Sequence, residues 1–268
     1  MNICMIGDSH LAMMLEANKE FFPPSVEITA ITWPRQFENQ FAFKGTEVSA
    51  NGDGLVDFWK SCGLTQTVDL ADFDKVVFIS YTATMFNIFA MLRDHVVSNW
   101  NAARPVIESL NAHQASPGAR RLLTPAAFQA CIVGIIQSNH AYRIASNLRE
   151  HCQVPMAVVP PPFLAETTLK HRPKLTGLKR VLNHKDGANL AAGYNDAHRV
   201  AFTHIPDVSV VAQPAQTVVR GCLTKDDYRA GAKRFGMEVA HSNDDVMHAG
   251  PLMGQLLLNS ILDPQSHA

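Results

Sequence analysis

Short apolar runs alternate along this chain with longer segments rich in helix formers, and no other feature constrains its fold so strongly. Residues 2–6, Asn-Ile-Cys-Met-Ile, are followed at once by Gly7, the pattern of a buried parallel strand ending in a tight turn. Residues 26–32 read as a second strand, stopped by Trp33-Pro34, and residues 75–80 as a third; 155–159 and 208–212 are two further candidates. Between them, residues 10–17 combine helix formers with an apolar face. Thr124-Pro125 marks a helix start, and that helix is expected to run to about residue 150. Thr224 with Asp227 resembles a capping box and predicts another helix that stops near Gly236. Residues 252–262 form a last apolar helix. Such alternation builds an α/β protein with a mostly parallel sheet covered on both faces.

There is enough chain for a sizeable core. With 268 residues, 47% hydrophobic and 18% charged, the composition is that of a folded domain. Lys plus Arg number 23 against 24 for Asp plus Glu, which gives no global attraction to nucleic acid or to an anionic membrane. No apolar run reaches membrane-spanning length, and Met1 to Ile6 lacks the features of a secretory signal, so a cytoplasmic protein is expected. Cys4, Cys62, Cys131, Cys152 and Cys222 are odd in number and dispersed, and read as buried thiols. No linker divides the chain. One domain over 1–268 is expected, with a helical insertion at 85–121 broken by Pro105 and by Ser116-Pro117-Gly118. Pro160-Pro161-Pro162 is a rigid stretch suited to the rim of a site.

In open α/β sheets, ligands bind beyond the carboxyl ends of the strands, where Gly7-Asp8-Ser9-His10 falls. A turn there exposes a hydroxyl and backbone amides at a helix entrance, the placement a serine nucleophile needs. The same Ser9 serves equally as a cap for the following helix. Near the other end, Asp245-Val246-Met247-His248 sets a carboxylate three residues before a histidine. In a helical turn that offset lets Asp245 orient the imidazole, whereas Asp244 lacks it. A serine hydroxyl needs a base to take its proton, and neutral His248 is the candidate.

Together, Gly7-Asp8-Ser9 after the first strand and Asp245-Val246-Met247-His248 before the last helix resemble the SGNH, or GDSL-like, hydrolase superfamily. The resemblance implies a flavodoxin-like three-layer sandwich of about five strands, a Ser9, Asp245 and His248 triad, and no metal or other cofactor. It also implies an oxyanion hole built from the serine amide, an internal glycine and an internal asparagine. Gly52, in Asn51-Gly52-Asp53-Gly54, occupies the glycine's region, although such a stretch also suits a simple turn. Where the superfamily has Gly-x-Asn-Asp, this chain has Ser80-Tyr81-Thr82-Ala83, so Thr82 stands in the asparagine's place. The implied activity is hydrolysis of an ester bond, with a carbohydrate or small-molecule acetyl ester as substrate.

Three other readings stay open. Acyl transfer to a sugar or another alcohol uses the same chemistry with a different acceptor. A binding protein that kept the fold and lost activity is supported by the missing asparagine. Asp8 and His10 also suit the opening of a metallophosphoesterase site, but its companion motifs Gly-Asp-x-x-Asp and Gly-Asn-His-Asp or Glu do not occur. The turn lacks the second and third glycines of a dinucleotide fingerprint. Trp33, Trp59 and Trp100 suit packing or sugar stacking, and His140, His151, His184, His198 and His204 show no ligand spacing. Lys170-His171-Arg172-Pro173-Lys174 reads as a solvated loop.

Overall fold

In the computed structural model, which describes residues 1–112, 121–237, 239–242 and 244–263, the five apolar runs form one sheet. Its strands are β1 (Asn2–Gly7), β2 (Glu27–Ile31), β3 (Lys75–Ile79), β4 (Met156–Val159) and β5 (Val208–Val210). They lie in the order β2-β1-β3-β4-β5 with every neighbouring pair parallel, the flavodoxin-like arrangement. The helices are α1 (Leu11–Phe21), α2 (Asp53–Ser61), α3 (Met85–Asp94), α4 (Arg104–Asn111) and α5 (Pro125–Gln137). They continue with α6 (His140–His151), α7 (Thr168–His171), α8 (Thr176–Asn183), α9 (Gly187–Phe202) and α10 (Pro251–Leu262).

Strand side chains alternate between two cores, as a pleated sheet requires. Ile3, Met5, Val77 and Ile79 pack with α1 and α10, while Cys4, Ile6, Val76 and Phe78 pack into the core shared by α2, α3, α5, α6, α8 and α9. Both faces are therefore covered, which explains the uninterrupted apolar character of β1 and β3. Gly7 pairs with Ile79 at the end of β1, and a Cβ there would come within 2.6 Å of the Ile79 carbonyl oxygen. Glycine lets β1 finish tightly against β3 and turn directly into the segment that carries Ser9.

The α1–α10 contact depends on a second glycine. A Cβ on Gly254 would overlap the Met13 carbonyl oxygen and sit 2.9 Å from the Ala17 Cβ. Gly254→Ala is expected to push α10 off α1 and to cost about 1–3 kcal/mol, the range for an overpacked core. A lowered urea midpoint with an unchanged slope measures it, and an unshifted midpoint would show that the helices separate freely.

Several expectations are corrected. The helix expected over 124–150 is two, α5 and α6, because the Ser138 hydroxyl and the Asn139 amide both donate to the Ile135 carbonyl at 2.8 and 2.7 Å. Those bonds compete with the helical ladder. Among the described residues, the segment read as a helix from Thr224 to Gly236 holds only a 3-10 turn at Asp226–Arg229. The Thr224 hydroxyl that would cap a helix donates instead to the Phe163 carbonyl at 2.6 Å. Of the cysteines, Cys4 and Cys222 are buried, whereas Cys62 and Cys131 are exposed and Cys152 is partly so. Cys62 follows the end of α2 and Cys131 lies on the outer side of α5. The antiparallel sheet of Phe41–Lys44, Glu47–Ala50 and Thr67–Asp69 has no counterpart in the sequence reading.

Within the segment read as an insertion, α3 buries Ile88, Phe89 and Leu92 in the main core, and strands His95–Val97 and Arg121–Leu123 pair in parallel. Its proposed break at Ser116-Pro117-Gly118 lies outside the described residues. Among the described residues no helix is long and apolar enough to cross a membrane.

Candidate active site

Beyond Gly7 the backbone makes one turn before α1. Asp8 drives that turn: its Oδ1 accepts from the His10 backbone N–H at 3.0 Å and contacts the His10 ring Nδ1 at 2.8 Å. This is the local side-chain bonding that carboxylates favour at turns. His10 is thereby held inside, 4% exposed, while Ser9 between them stays exposed. The Ser9 backbone N–H has no backbone partner among the described residues, and lies free at the turn.

From 239 residues away, the loop before α10 brings His248 to this turn, with its Nε2 2.7 Å from the Ser9 Oγ. The other ring nitrogen, Nδ1, is 2.6 Å from Asp245 Oδ2. An ionised carboxylate only accepts, so Nδ1 carries the proton and Nε2 accepts from the Ser9 hydroxyl. Asp245 does not sit one helical turn before His248. The stretch is a loop in which Asp245 Oδ1 accepts from the Met247 N–H at 2.7 Å and the His248 N–H at 3.1 Å. The carboxylate thus shapes the loop with one oxygen and orients the ring with the other. Burial would raise the Asp245 pKa, but its bonds from His248 and Met247 prevail and hold the carboxyl far below its usual range. Asp244 is exposed and makes no hydrogen bond to His248.

Two further imidazoles flank His248. The His241 ring stacks on it at 3.7 Å and 10°, and the His10 ring lies on it at 5.0 Å and 29°. His241 Nδ1 is 2.9 Å from the same Asp245 Oδ2. Burial opposes a charge on His10, yet the charge and hydrogen bond of Asp8 outweigh it and raise its pKa; Asp8 is correspondingly lowered. His241 shifts the other way, pulled down by burial and then by the charge of His248.

His241, Asp245 and His248 each offer a ligand atom within 4.8 Å of the others, so a metal centre must be weighed. Imidazole lone pairs lie in the ring plane, and rings only 10° from parallel direct them side by side instead of toward one ion. The arrangement fits a hydrogen-bonded carboxylate and imidazole better than a metal site.

Ser9 opens on a cavity of about 640 Å³ with apolar walls from Trp33, Phe58, Tyr81, Phe235 and Met237. Arg35, Glu38, His140 and Arg234 add polar groups, with Glu38 and His140 paired at 2.9 Å. Trp33 is sandwiched between Phe41 at 3.8 Å and Tyr81 at 4.7 Å, so neither of its faces is free to stack on a sugar. Arg35, Glu38 and His140 also border an adjoining groove of about 940 Å³, where Gln36, Asn39, Gln137 and Asn147 present amides.

Gly52 and Thr82 do not join Ser9; neither lines its cavity. Gly52 is the N-cap of α2, packed against the Gln40 side chain. Thr82 is buried and turned into the core. His198 Nδ1 donates to the Tyr194 carbonyl at 2.9 Å, which leaves Nε2 to accept from the Thr82 hydroxyl at 3.0 Å. Burial pulls the His198 pKa down to about 4, so that imidazole stays neutral. The cause of the turned side chain lies just before it: Ser80 and Tyr81 adopt φ of 62° and 49°, a strained left-handed pair that redirects the chain after β3. Thr82→Val is therefore expected to destabilise the fold by about 1–3 kcal/mol, because it strands a buried acceptor. Thermal unfolding checks this; a lowered kcat at unchanged stability would instead return Thr82 to the site.

The residues that the sequence reading passed over are His241 and the structural pairing of Asp8 with His10. A histidine four before Asp245, mirrored by one three after it, was the available signal, diluted by 12 histidines in the chain. No known protein family's sequence profile and no curated protein matches this chain.

Proposed function

We propose that this chain is a serine-dependent hydrolase of an ester bond, built as an SGNH-like enzyme. The observation that carries this reading is the continuous relay of Ser9 Oγ to His248 Nε2 at 2.7 Å and His248 Nδ1 to Asp245 Oδ2 at 2.6 Å. In this reading Ser9 Oγ attacks the acyl carbon as its proton passes to His248. Asp245 stabilises the imidazolium, which returns the proton to the departing alcohol. Water then adds to the acyl-enzyme, giving its proton to His248, and the acid leaves as Ser9 recovers its hydrogen. The free Ser9 N–H is one oxyanion donor. No glycine, asparagine or glutamine stands among the described residues lining the cavity, so generic activated esters are expected to turn over slowly.

The apolar walls beside Ser9 suit the acyl group. The adjoining groove with its four amides suits a polyhydroxylated alcohol, since an amide both donates to and accepts from hydroxyls. That groove favours a carbohydrate ester, and it serves an acyltransferase equally well if a sugar hydroxyl replaces water as acceptor. The test is a fluorophosphonate probe, with the labelled residue located by mass spectrometry, followed by acetyl to octanoyl esters of simple alcohols and of sugars. Labelling at Ser9 together with ester turnover supports the reading. No labelling and no turnover across the panel would leave a non-catalytic binding protein. Activity that is abolished by a chelator but indifferent to the probe would point to metal chemistry.

A further inference from the structure

Asp245 faces two imidazoles, not one. His241 comes from the segment after the Lys233–Ala240 bridge, and its ring covers one face of His248 while its Nδ1 approaches Asp245 Oδ2 at 2.9 Å. With its ring nearly parallel to that of His248, His241 makes an electrostatic contact with Asp245 and no hydrogen bond to it. The His241 Nε2 is buried and has no partner. A buried unpaired ring nitrogen is costly in a fold and marks a ring kept for what its face covers.

We propose that His241 is a positioning residue for the Ser9–His248–Asp245 relay: its ring lies over one face of His248 and keeps water from the His248–Asp245 hydrogen bond. The proposal rests on the serine-hydrolase reading for its kinetic consequences, but not for its structural ones. Both side chains it covers are nearly shut off from solvent, His248 at 16% and Asp245 at 13% exposure.

His241 performs this role as a neutral ring, since a cation stacked 3.7 Å from an imidazolium would oppose the transition state. Its surroundings keep it neutral. Burial and the charge of His248 lower its pKa, Arg234 and His10 act in the same direction, and Asp245 alone opposes them. The remaining charged groups at the two cavities it borders are Asp8, occupied by His10, Glu38, occupied by His140, Arg229, occupied by Asp226, and Arg35.

Two variants test the covering ring. His241→Ala removes it, and is expected to lower kcat about 10- to 100-fold with little change in KM. His241→Phe keeps a flat ring over His248 and should stay within about threefold of wild type. Equal kcat in the two folded variants would overturn the proposal. If the protein turns over no ester, imidazole NMR still decides. The His248 Nδ1–H should exchange with solvent at least about tenfold faster in His241→Ala than in wild type, and an unchanged exchange rate would reject the shielding role.

Discussion

Ser9→Ala is expected to lower kcat by about 10⁴- to 10⁶-fold on any ester the wild-type protein hydrolyses, with KM and thermal stability almost unchanged. The size follows from what the hydroxyl does. In the proposed reaction it is the atom that bonds to the acyl carbon, and without it His248 Nε2 would have no nucleophile to activate. The small structural cost follows from its position. Ser9 is exposed, and its Oγ makes one side-chain hydrogen bond, to His248, so its removal leaves a lone pair that water can reach. What survives is catalysis by binding and by the backbone donor, which in a serine triad retains about 10³- to 10⁴-fold over water. Parallel kinetics and thermal melts on purified wild type and variant measure both parts. Turnover within tenfold of wild type would remove Ser9 from the chemistry, and a collapsed melting temperature would mean that the loss reports unfolding.

The parallel sheet was legible because strands buried on both faces leave a continuous apolar record. Residues 2–6 and 75–80 match β1 and β3 to within one residue. The antiparallel sheet of Phe41–Lys44, Glu47–Ala50 and Thr67–Asp69 leaves no such record: its strands are three or four residues long, and Glu47 and Thr67 face solvent. Helix ends were harder, because they depend on where a side chain finds its partner. Thr224 looks like a cap until Phe163, 61 residues away, takes its hydroxyl.

The same distinction runs through the site. The proposed triad residues precede α1 and α10, the two helices on one face of the sheet, and motif and strand order were enough to suggest their meeting. Thr82 follows β3, as its position in the sequence requires, yet the left-handed Ser80 and Tyr81 turn its hydroxyl toward His198. Side-chain direction after an irregular turn is set by φ and ψ, which residue type alone does not reveal at non-glycine positions. His241 was hidden for another reason: its partners are close in sequence, but its stacking on His248 exists only in the folded loop.

Asp245→Asn is expected to lower kcat by about 10⁴-fold, against little change for Asp244→Asn. Asp245 Oδ1 already accepts two backbone N–H groups, so an asparagine at 245 must keep its carbonyl oxygen there. Its NH₂ group then faces Nδ1 of His248 and of His241, where Oδ2 stood. Donor against donor is unfavourable, and His248 is driven to the tautomer with the hydrogen on Nε2. That nitrogen then donates toward Ser9 and no longer takes its proton. Stability should respond with a defined sign. A carboxyl held below its unfolded value contributes stability that is present above about pH 4 and is lost as pH falls below it. Acid unfolding of Asp245→Asn should therefore depend less steeply on pH between about 4 and 2 than that of wild type. Equal kcat in the two asparagine variants would dissociate Asp245 from His248. A large kcat loss with unchanged acid unfolding would confine the charge of Asp245 to orienting the ring.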